Sequence, residues 1–460
     1  MTGYAPLREL LRFEIIQRRE EGCEVEGFAE RLADIGDDPA ALNALYDELM
    51  ALQVSPSFPY VEPTEWDEIQ AERKPGAVQL EEAQHTEEQW RDKFLGAWLG
   101  RCAGCALGKP IEAWDFTTGS GGRAGWENVK LWFEEADAWP IQDYTPEFSR
   151  AREKYNLQLA SYGMRSVRER IQYMETDDDI RYTVLGLLLL ERKGRNWSSW
   201  DVGKLWHGHL AFAQVCTAET QAYRNFTQVT SHYEWSEPQI WSEQKDWVRT
   251  YRNPYREWIG AQIRVDALAY GAAGNPELAA EFAWRDATFS HVKNGVYGAM
   301  FVAAMIAAAF VERDPVKLVE TGLSVIPARS RLYQDIRQAM KIASSATDQI
   351  DLVSRIWDAF KHYDPIHTNN NAALVAASLI FAKGDFEKAI TTSVLGGWDT
   401  DCNGATVGSI MGASLGASAL PEHWTSKLND TLYAEVTGFH PIKISECASR
   451  SYEVFRNINP

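Results

Sequence analysis

Three oxygen-bearing side chains stand at alternate positions in one short segment, at Asp399, Asp401 and Asn403. The segment GGWDTDCNGATVGSIMGASLG, residues 396–416, opens with a Gly-Gly pair that predicts a turn. Residues two apart in extended backbone point the same way, so the two carboxylates can face one site. Close carboxylates at neutral pH need a cation or a shared proton. An oxygen-only set favours Mg²⁺, Ca²⁺ or Mn²⁺ over zinc or copper.

Two other interpretations of this segment stay open. The spacing Asp-x-Asp-x-Asn-Gly from Asp399 matches the first half of an EF-hand calcium loop, but the twelfth position, which should be glutamate, is Ile410. The segment is also consistent with a solvated acidic turn that caps a core helix.

A second acidic run, ETDDD at residues 175–179, leads directly into the apolar stretch IRYTVLGLLLLER. We expect Thr176 to cap the helix that this stretch forms. Three consecutive aspartates are more than capping requires, so the pattern favours a metal or catalytic role. We therefore predict that this run and the later one share a single divalent-cation site.

Glycine recurs at every fourth position in two stretches, residues 96–108 and residues 404–416. Residues four apart share one face of a helix, and each interior glycine costs a helix about 0.5–1 kcal/mol relative to alanine. The two bare stripes therefore predict two helices that cross at close range. Glu112 follows the end of the first helix, where its carboxylate could reach the shared site.

The chain has other residues whose role the sequence leaves between structure and chemistry. Residues 197–258 hold seven of the eighteen tryptophans, from Trp197 through Trp235 to Trp258. Their faces could stack on sugar or base rings, but we expect most of them to fill the core. The pair Cys102 and Cys105 lies in a Gly/Ala-rich helical pattern, which indicates buried small residues rather than a zinc or redox site.

The composition of the chain limits the classes of protein to which it can belong. The chain has 460 residues, 45% of them hydrophobic, which suggests two or three domains or one large one. Its net charge of −19 argues against nucleic-acid binding, because neutralising phosphates requires excess Lys and Arg. The longest apolar run, near residues 296–310, is shorter than the roughly 20 residues of a membrane span. Six cysteines without a small-domain framework are typical of a reducing compartment, so we predict a soluble, cytoplasmic protein.

The elements that must position these residues are predicted to be helices throughout. We see no convincing alternating strand pattern, and expect an all-α fold of many short-connected helices. We predict an accessory helical module at residues 1–52 and a proline-rich linker or arm at residues 53–88. A catalytic domain then covers residues 89–460, with aromatic-rich insertions near residues 113–172 and 197–258.

Taken together, three segments resemble the ADP-ribosylglycohydrolase family, which includes the dinitrogenase-reductase-activating glycohydrolase. They are GAWLGRCAGCALGKPIE, ETDDDIRYTVLGLLLL and LGGWDTDCNGATVGSIMGASLGA, and their order and spacing are specific in combination. The resemblance spans about residues 90–425. It implies a multi-helix orthogonal bundle, to which residues 1–88 are an addition.

The resemblance also implies a cofactor, namely two Mg²⁺ ions, with Mn²⁺ as a possible substitute. It assigns metal ligation to Thr176, Asp177 and Asp178 in the first run. Asp399 and Asp401 are the corresponding ligands in the second run.

Other roles follow from the same resemblance. Glu112 stands where the family has a mobile gate or acid–base group, and Asp399 is a further candidate for acid–base catalysis. His291, in a Ser-His pair, is expected near the substrate, with a hydrogen-bonded structural role as the alternative. We also assign Gly397, Trp398 and Asn403 to substrate binding.

The chain departs from the family pattern at two positions. Asp179 stands where the family usually has threonine after Thr-Asp-Asp, and Cys402 replaces the final threonine of Asp-x-Asp-Thr. Because a thiol is a poor ligand for a hard cation, Asn403 or water would have to fill that coordination position.

The function that the resemblance implies is Mg²⁺-dependent hydrolysis of an N- or O-ribosyl bond. The substrate would be an ADP-ribosylated protein or a smaller ribosylated metabolite or nucleoside. The alternative is a catalytically silent binding or structural protein on the same scaffold, which Cys402 favours. The retained aspartates argue against it, since buried unpaired carboxylates are costly without a cation.

Overall fold

The computed structural model describes residues 5–76, 78, 80, 84–230 and 236–459. Helices account for nearly all of its regular structure, so the prediction of an all-α fold is confirmed. The first helices are α1 Leu7–Glu20, α2 Phe28–Ile35, α3 Pro39–Ala51, α4 Trp66–Ala71, α5 Glu87–Gly108, α6 Trp114–Thr117, α7 Gly125–Glu134, α8 Ala151–Tyr155, α9 Asp178–Lys193, α10 Ser199–His209, α11 Thr217–Val229 and α12 Trp241–Thr250.

The second half continues in the same way. It contains α13 Asp266–Gly271, α14 Pro276–Ala287, α15 Lys293–Ala309, α16 Pro315–Ser324, α17 Arg331–Ser345, α18 Gln349–Phe360, α19 Thr368–Ala382, α20 Phe386–Leu395, α21 Thr400–Leu415, α22 Glu422–Thr425 and α23 Ile444–Ile458. Two short strands, β1 Thr431–Leu432 and β2 Ile442–Lys443, pair antiparallel. They are too short to show an alternating pattern in the sequence.

The centre of the molecule is the antiparallel pair of α5 and α21. Both helices are buried along the glycine stripes, and the backbone of one lies against the backbone of the other. A Cβ atom added to any of these glycines except Gly416 would collide with a carbonyl of the facing helix. The prediction that the stripes face each other is therefore confirmed; the facing pairs are Gly96 with Gly412, Gly100 with Gly408, Gly104 with Gly404, and Gly108 with Thr400.

The first three helices pack around a small apolar cluster of their own, which includes Leu11, Leu32 and Leu49. Asp38 caps α3 by accepting a hydrogen bond from the Ala40 N–H at 3.2 Å. α1 also contacts the later chain, where Leu10 packs with neighbours near α11.

Residues 53–76 run over the surface of the later helices. The Val61 N–H donates to the Arg329 carbonyl at 3.1 Å. The Trp284 indole donates to the Thr64 carbonyl at 2.9 Å. One turn of this segment is helical, as α4.

The tryptophan-rich stretch serves the core, as expected. Of the tryptophans that the sequence points to in residues 197–258, five are buried, Trp247 is partly buried against the core, and Trp235 lies outside the described residues. The stretch at residues 113–172 is more regular than its sequence indicates, because it contains α6, α7 and α8.

Among the described helices, none combines the length and the apolar character that crossing a bilayer requires. The cytoplasmic location stays a prediction.

Candidate functional site

A cavity of about 420 Å³ lies where the C-terminal end of α5, the start of α9 and the start of α21 meet. Because α5 and α21 are antiparallel, the end of one is beside the beginning of the other. The residues just after α5 and just before α21 therefore reach the same place. Acidic residues of both runs line this cavity, namely Glu175, Asp177, Asp178, Asp399 and Asp401, and so do Glu112, Glu219 and Glu435.

The carboxylates of the two runs are close enough to share a cation. Ligand atoms of Glu112, Asp399 and Asp401 all lie within 4.8 Å of one another. Asp401 also approaches Asp177 and the thiol of Cys105 within the same limit. The two acidic runs therefore meet in one place, as the sequence predicts.

Two of these acids have oxygens without a protein partner. Oδ1 of Asp399 and Oδ1 of Asp401 are buried, and neither accepts a hydrogen bond from the described residues. The side chains themselves are 4% and 1% exposed. Buried, unpaired carboxylate oxygens are costly, so this pair fits a hard divalent cation. The same burial excludes the solvated acidic turn, and the EF-hand is excluded because a helix begins at Thr400.

The environment raises the pKa values of most of these acids. Burial, and then the neighbouring carboxylates, raises the pKa of Asp401 to about 7 and that of Asp178 to about 6. The same causes raise the pKa values of Asp399 and Glu112 well above their usual range. A raised pKa favours the protonated carboxyl group, and a bound divalent cation would favour the ionised form instead.

Asp177 differs because it has a cationic partner that sequence reasoning missed. The Lys109 ammonium donates to Asp177 Oδ2 and, at 2.8 Å, to the Thr176 carbonyl. Burial raises the pKa of Asp177, but the Lys109 charge, the hydrogen bonds from Lys109 and the Asp179 N–H, and the Arg181 charge together lower it. The pKa of Lys109 is raised in turn, although burial opposes this. A lysine directly after the glycine helix, three residues before Glu112, was the available sequence signal.

Two more residues that the sequence did not single out hold site residues in place. The Tyr162 hydroxyl donates to Glu112 Oε2 at 3.0 Å. The Arg181 guanidinium donates to Thr176 Oγ1 at 3.0 Å, so this hydroxyl already has a partner. Thr176 does not cap α9; Asp177 does, because its Oδ1 accepts the Asp179 N–H at 3.0 Å.

The two departures from the family pattern contact each other. The Cys402 thiol donates to Asp179 Oδ2 at 3.0 Å. The other oxygen of Asp179 pairs with Arg101 at 3.1 Å, and both side chains are fully buried. Cys402 thus has a hydrogen-bonding role beside the cavity.

Four residues that we assigned to the substrate do not line the cavity. His291 is fully buried, with Nδ1 hydrogen-bonded to Ser290 Oγ at 2.8 Å, so the structural interpretation fits it. Burial also lowers the pKa of His291 well below its usual range. Trp398 is stacked on Trp357 with ring centroids 5.0 Å apart.

The other two support the start of α21. Asn403 donates to Asn371 Oδ1 at 2.7 Å, and the same oxygen accepts the Asp399 N–H at 3.3 Å. Gly397 has a φ of 74°, and a Cβ added there would lie 2.7 Å from the Phe116 carbonyl oxygen, which explains the glycine. Asn371 therefore links Asn403 to the backbone of Asp399.

Comparison with known proteins gives one strong match. The model of a family described as ADP-ribosylglycohydrolase matches residues 86–456. A solved structure described as "ADP-ribosylglycohydrolase-related protein complex" shares 18% identity, with a TM-score of 0.49 over 81% of this chain and 99% of that chain. A likeness at that level says nothing about residue roles. No curated protein matches the chain.

Proposed function

Because the chain belongs to the ADP-ribosylglycohydrolase family, we propose that it is a Mg²⁺-dependent glycoside hydrolase that cleaves an N- or O-ribosyl bond. The observation that carries this proposal is the pair of buried, unpartnered oxygens on Asp399 and Asp401, which line the cavity. An acidic pair without a protein partner in a polar cavity is suited to a cation and a hydroxylated ligand.

The residues that would hold Mg²⁺ are Asp399 and Asp401, and Glu112 lies close enough to both to be a third ligand or an acid–base group beside the cation. When bound, the cation would orient the ribose hydroxyls and a water molecule and stabilise developing negative charge. The oxygen-only character of this trio supports Mg²⁺ or Mn²⁺.

Glu112 is the side chain best suited to proton transfer. Its pKa is raised by burial and by Asp401, which favours the protonated form that a general acid needs to donate a proton to the leaving group. The Tyr162 hydroxyl fixes the carboxyl group by donating to Oε2. Asp399 is the second acid in reach and could accept a proton from the attacking water.

The volume of the cavity limits the size of the substrate. Its volume of about 420 Å³ lies within the roughly 300–1,000 Å³ range of small-molecule sites. A ribosyl group with part of its leaving group fits such a volume. We propose an ADP-ribosylated side chain, or a smaller ribosylated metabolite or nucleoside, as the substrate.

A second candidate function is a catalytically silent binding protein on the same scaffold. Two observations favour it, namely the thiol of Cys402 in place of an expected ligand and the ammonium of Lys109 on Asp177. Such a protein would bind a ribosyl compound without hydrolysing it.

A panel of ADP-ribosyl and ribosyl compounds incubated with Mg²⁺, with products read by mass spectrometry, separates the two. Hydrolysis by the wild type that is lost in Glu112→Gln and in Asp401→Asn supports the enzyme. Asp47→Asn is the matched control, because Asp47 is exposed and outside the cavity. Binding of a panel compound without turnover would support the silent protein instead.

A further inference from the structure

We infer that the Lys109 ammonium takes the place of one of the two divalent cations that the family resemblance implies, so that this protein binds a single cation. The inference rests on the metal dependence proposed above. It concerns how many cations the acidic cavity accepts, and where the one that remains is held.

The Lys109 ammonium has the surroundings of a bound cation. Its side chain is 5% exposed, although it lines the cavity. It contacts an anionic oxygen of Asp177, the Thr176 carbonyl at 2.8 Å, and the face of Tyr162 at 5.7 Å from the ring centroid. Three donors therefore meet a carboxylate, a carbonyl and a π-face, which leaves the ammonium well satisfied.

Two of the three ligands assigned to the first acidic run have protein partners, and the third, Asp178, lines the same cavity. Asp177 Oδ2 binds Lys109, and Oδ1 accepts the Asp179 N–H at 3.0 Å. Thr176 Oγ1 accepts from Arg181 at 3.0 Å. A divalent cation on these atoms would lie beside a fixed positive charge and would lose affinity through repulsion.

The last aspartate of that run, Asp179, also has partners on both of its oxygens. Asp179 pairs with Arg101 through Oδ1 and accepts from the Cys402 thiol through Oδ2. Neither oxygen is free to replace the ligand that Lys109 has taken.

In the second run, by contrast, two carboxylate oxygens lack a partner. Oδ1 of Asp399 and Oδ1 of Asp401 are buried without a partner among the described residues, and Glu112 approaches both within 4.8 Å. These three carboxylates attract a divalent cation with no lysine or arginine bonded to the unpaired oxygens. The structure thus assigns the one cation to this trio.

The test counts Mn²⁺ ions on the full chain. Metal-free protein is titrated with Mn²⁺, and free ion is followed by its electron paramagnetic resonance signal while calorimetry gives the number of sites. Wild type should bind one equivalent. Lys109→Met, which removes the charge but keeps a similar length, should bind two and show the spin coupling of a paired site.

Lys93→Met is the matched control. Lys93 is also buried, but its ammonium binds the carbonyls of Ala413 and Ser414 at 3.0 and 2.8 Å. It lies outside the cavity, so this variant should still bind one equivalent.

Two equivalents on the wild type would overturn the inference even if Lys109→Met did not fold. One equivalent on both the wild type and a folded Lys109→Met would overturn it as well. No binding to the wild type would overturn it together with the metal dependence. In a further outcome, the wild type binds one Mn²⁺ and Lys109→Met binds two, but no ribosyl compound is hydrolysed. That result would support the inference and contradict the proposed hydrolase activity.

Discussion

Cys402 and Asp179 occupy the two positions where this chain departs from the pattern of its family, and they are hydrogen-bonded partners. A buried carboxylate that replaces threonine needs donors, and Arg101 supplies one of them. The thiol supplies the other. The two departures are therefore best understood as one joint feature of this chain.

Replacing Cys402 tests that account. Cys402→Val removes the donor and leaves a buried oxygen of Asp179 unpaired, which should lower the free energy of unfolding by about 1–3 kcal/mol. Cys402→Thr has the same shape as valine but keeps a donor, so we expect a smaller loss. Chemical denaturation of both variants measures the difference, and equal loss in the two would contradict a hydrogen-bonding role.

The raised pKa of Asp401 predicts how stability depends on pH. Burial and then Asp177 raise this pKa to about 7. An acid whose pKa is raised on folding stabilises the folded state at low pH, and that contribution is lost as the pH rises through the folded pKa. Without divalent cations, the wild type should therefore lose stability relative to Asp401→Asn between about pH 4 and pH 8.

Melting temperatures of the wild type and Asp401→Asn in a chelator, at pH 5 and pH 8, measure this shift. Adding Mg²⁺ at pH 8 should restore the wild type more than the variant. The same difference between the two proteins at both pH values would show that Asp401 does not titrate in this range.

At the scale of elements, the contact between α5 and α21 depends on the absence of side chains. Gly104→Ala would place a methyl group against the backbone of Gly404, and overpacking of this kind costs about 1–3 kcal/mol. Gly208→Ala is the matched control, because Gly208 is helical and has no neighbouring atom within 4 Å of its added Cβ.

Thermal denaturation distinguishes the two glycines. Gly104→Ala should melt at a lower temperature than the wild type. Gly208→Ala should be unchanged or slightly more stable, because alanine favours helix by about 0.5–1 kcal/mol. Equal melting of the two variants would mean that the helix pair tolerates a side chain.

The sequence predicts this helix pair because a repeat of four residues is a local signal that maps directly onto one helix face. It predicts the meeting of the acids for a similar reason, since each run directly precedes a helix. It does not reveal Lys109, whose partner Asp177 is 68 residues away. Nor does the sequence show that the Trp398 side chain, next to Asp399, packs inside the protein and does not line the cavity. Neighbouring residues in a turn can point to opposite sides.

At the scale of the whole molecule, buried ion pairs attach the N-terminal segment to the rest. Arg256 contacts Glu14 at 2.8 Å and Glu21 at 2.9 Å, and all three are buried. Arg331 joins Glu62 to Glu257 in the same manner, at 2.9 and 2.7 Å. We propose that the N-terminal helices and the arm fold together with the later helices.

Arg256→Met tests this proposal. It would leave the buried Glu14 without its ion-pair partner, while Glu21 would keep Arg18 and Lys293; losing the partner of a buried carboxylate should cost about 3–5 kcal/mol. Arg150→Met is the control, because Arg150 pairs with Asp137 at the surface, where both side chains are mostly exposed; its loss should leave the stability nearly unchanged, because water screens exposed ion pairs. Denaturation should remain a single transition, and a separate early transition in Arg256→Met would mean that the N-terminal helices unfold independently.

Because the glycines are equally spaced, they allow α5 and α21 to approach each other closely but do not determine how far one helix is shifted along the other. A slide of four residues would place Gly108 against Gly404 and would still set glycine against glycine at each contact. It would also move Asp399 along the helix axis by about 6 Å. What selects the observed alignment lies at the two ends of the pair: the Thr400 hydroxyl donates to the Gly108 carbonyl at 2.9 Å, and Lys93 holds the last carbonyls of α21. A chain that kept every glycine but lost these end contacts could fold as tightly and still misplace its acids by one helical turn.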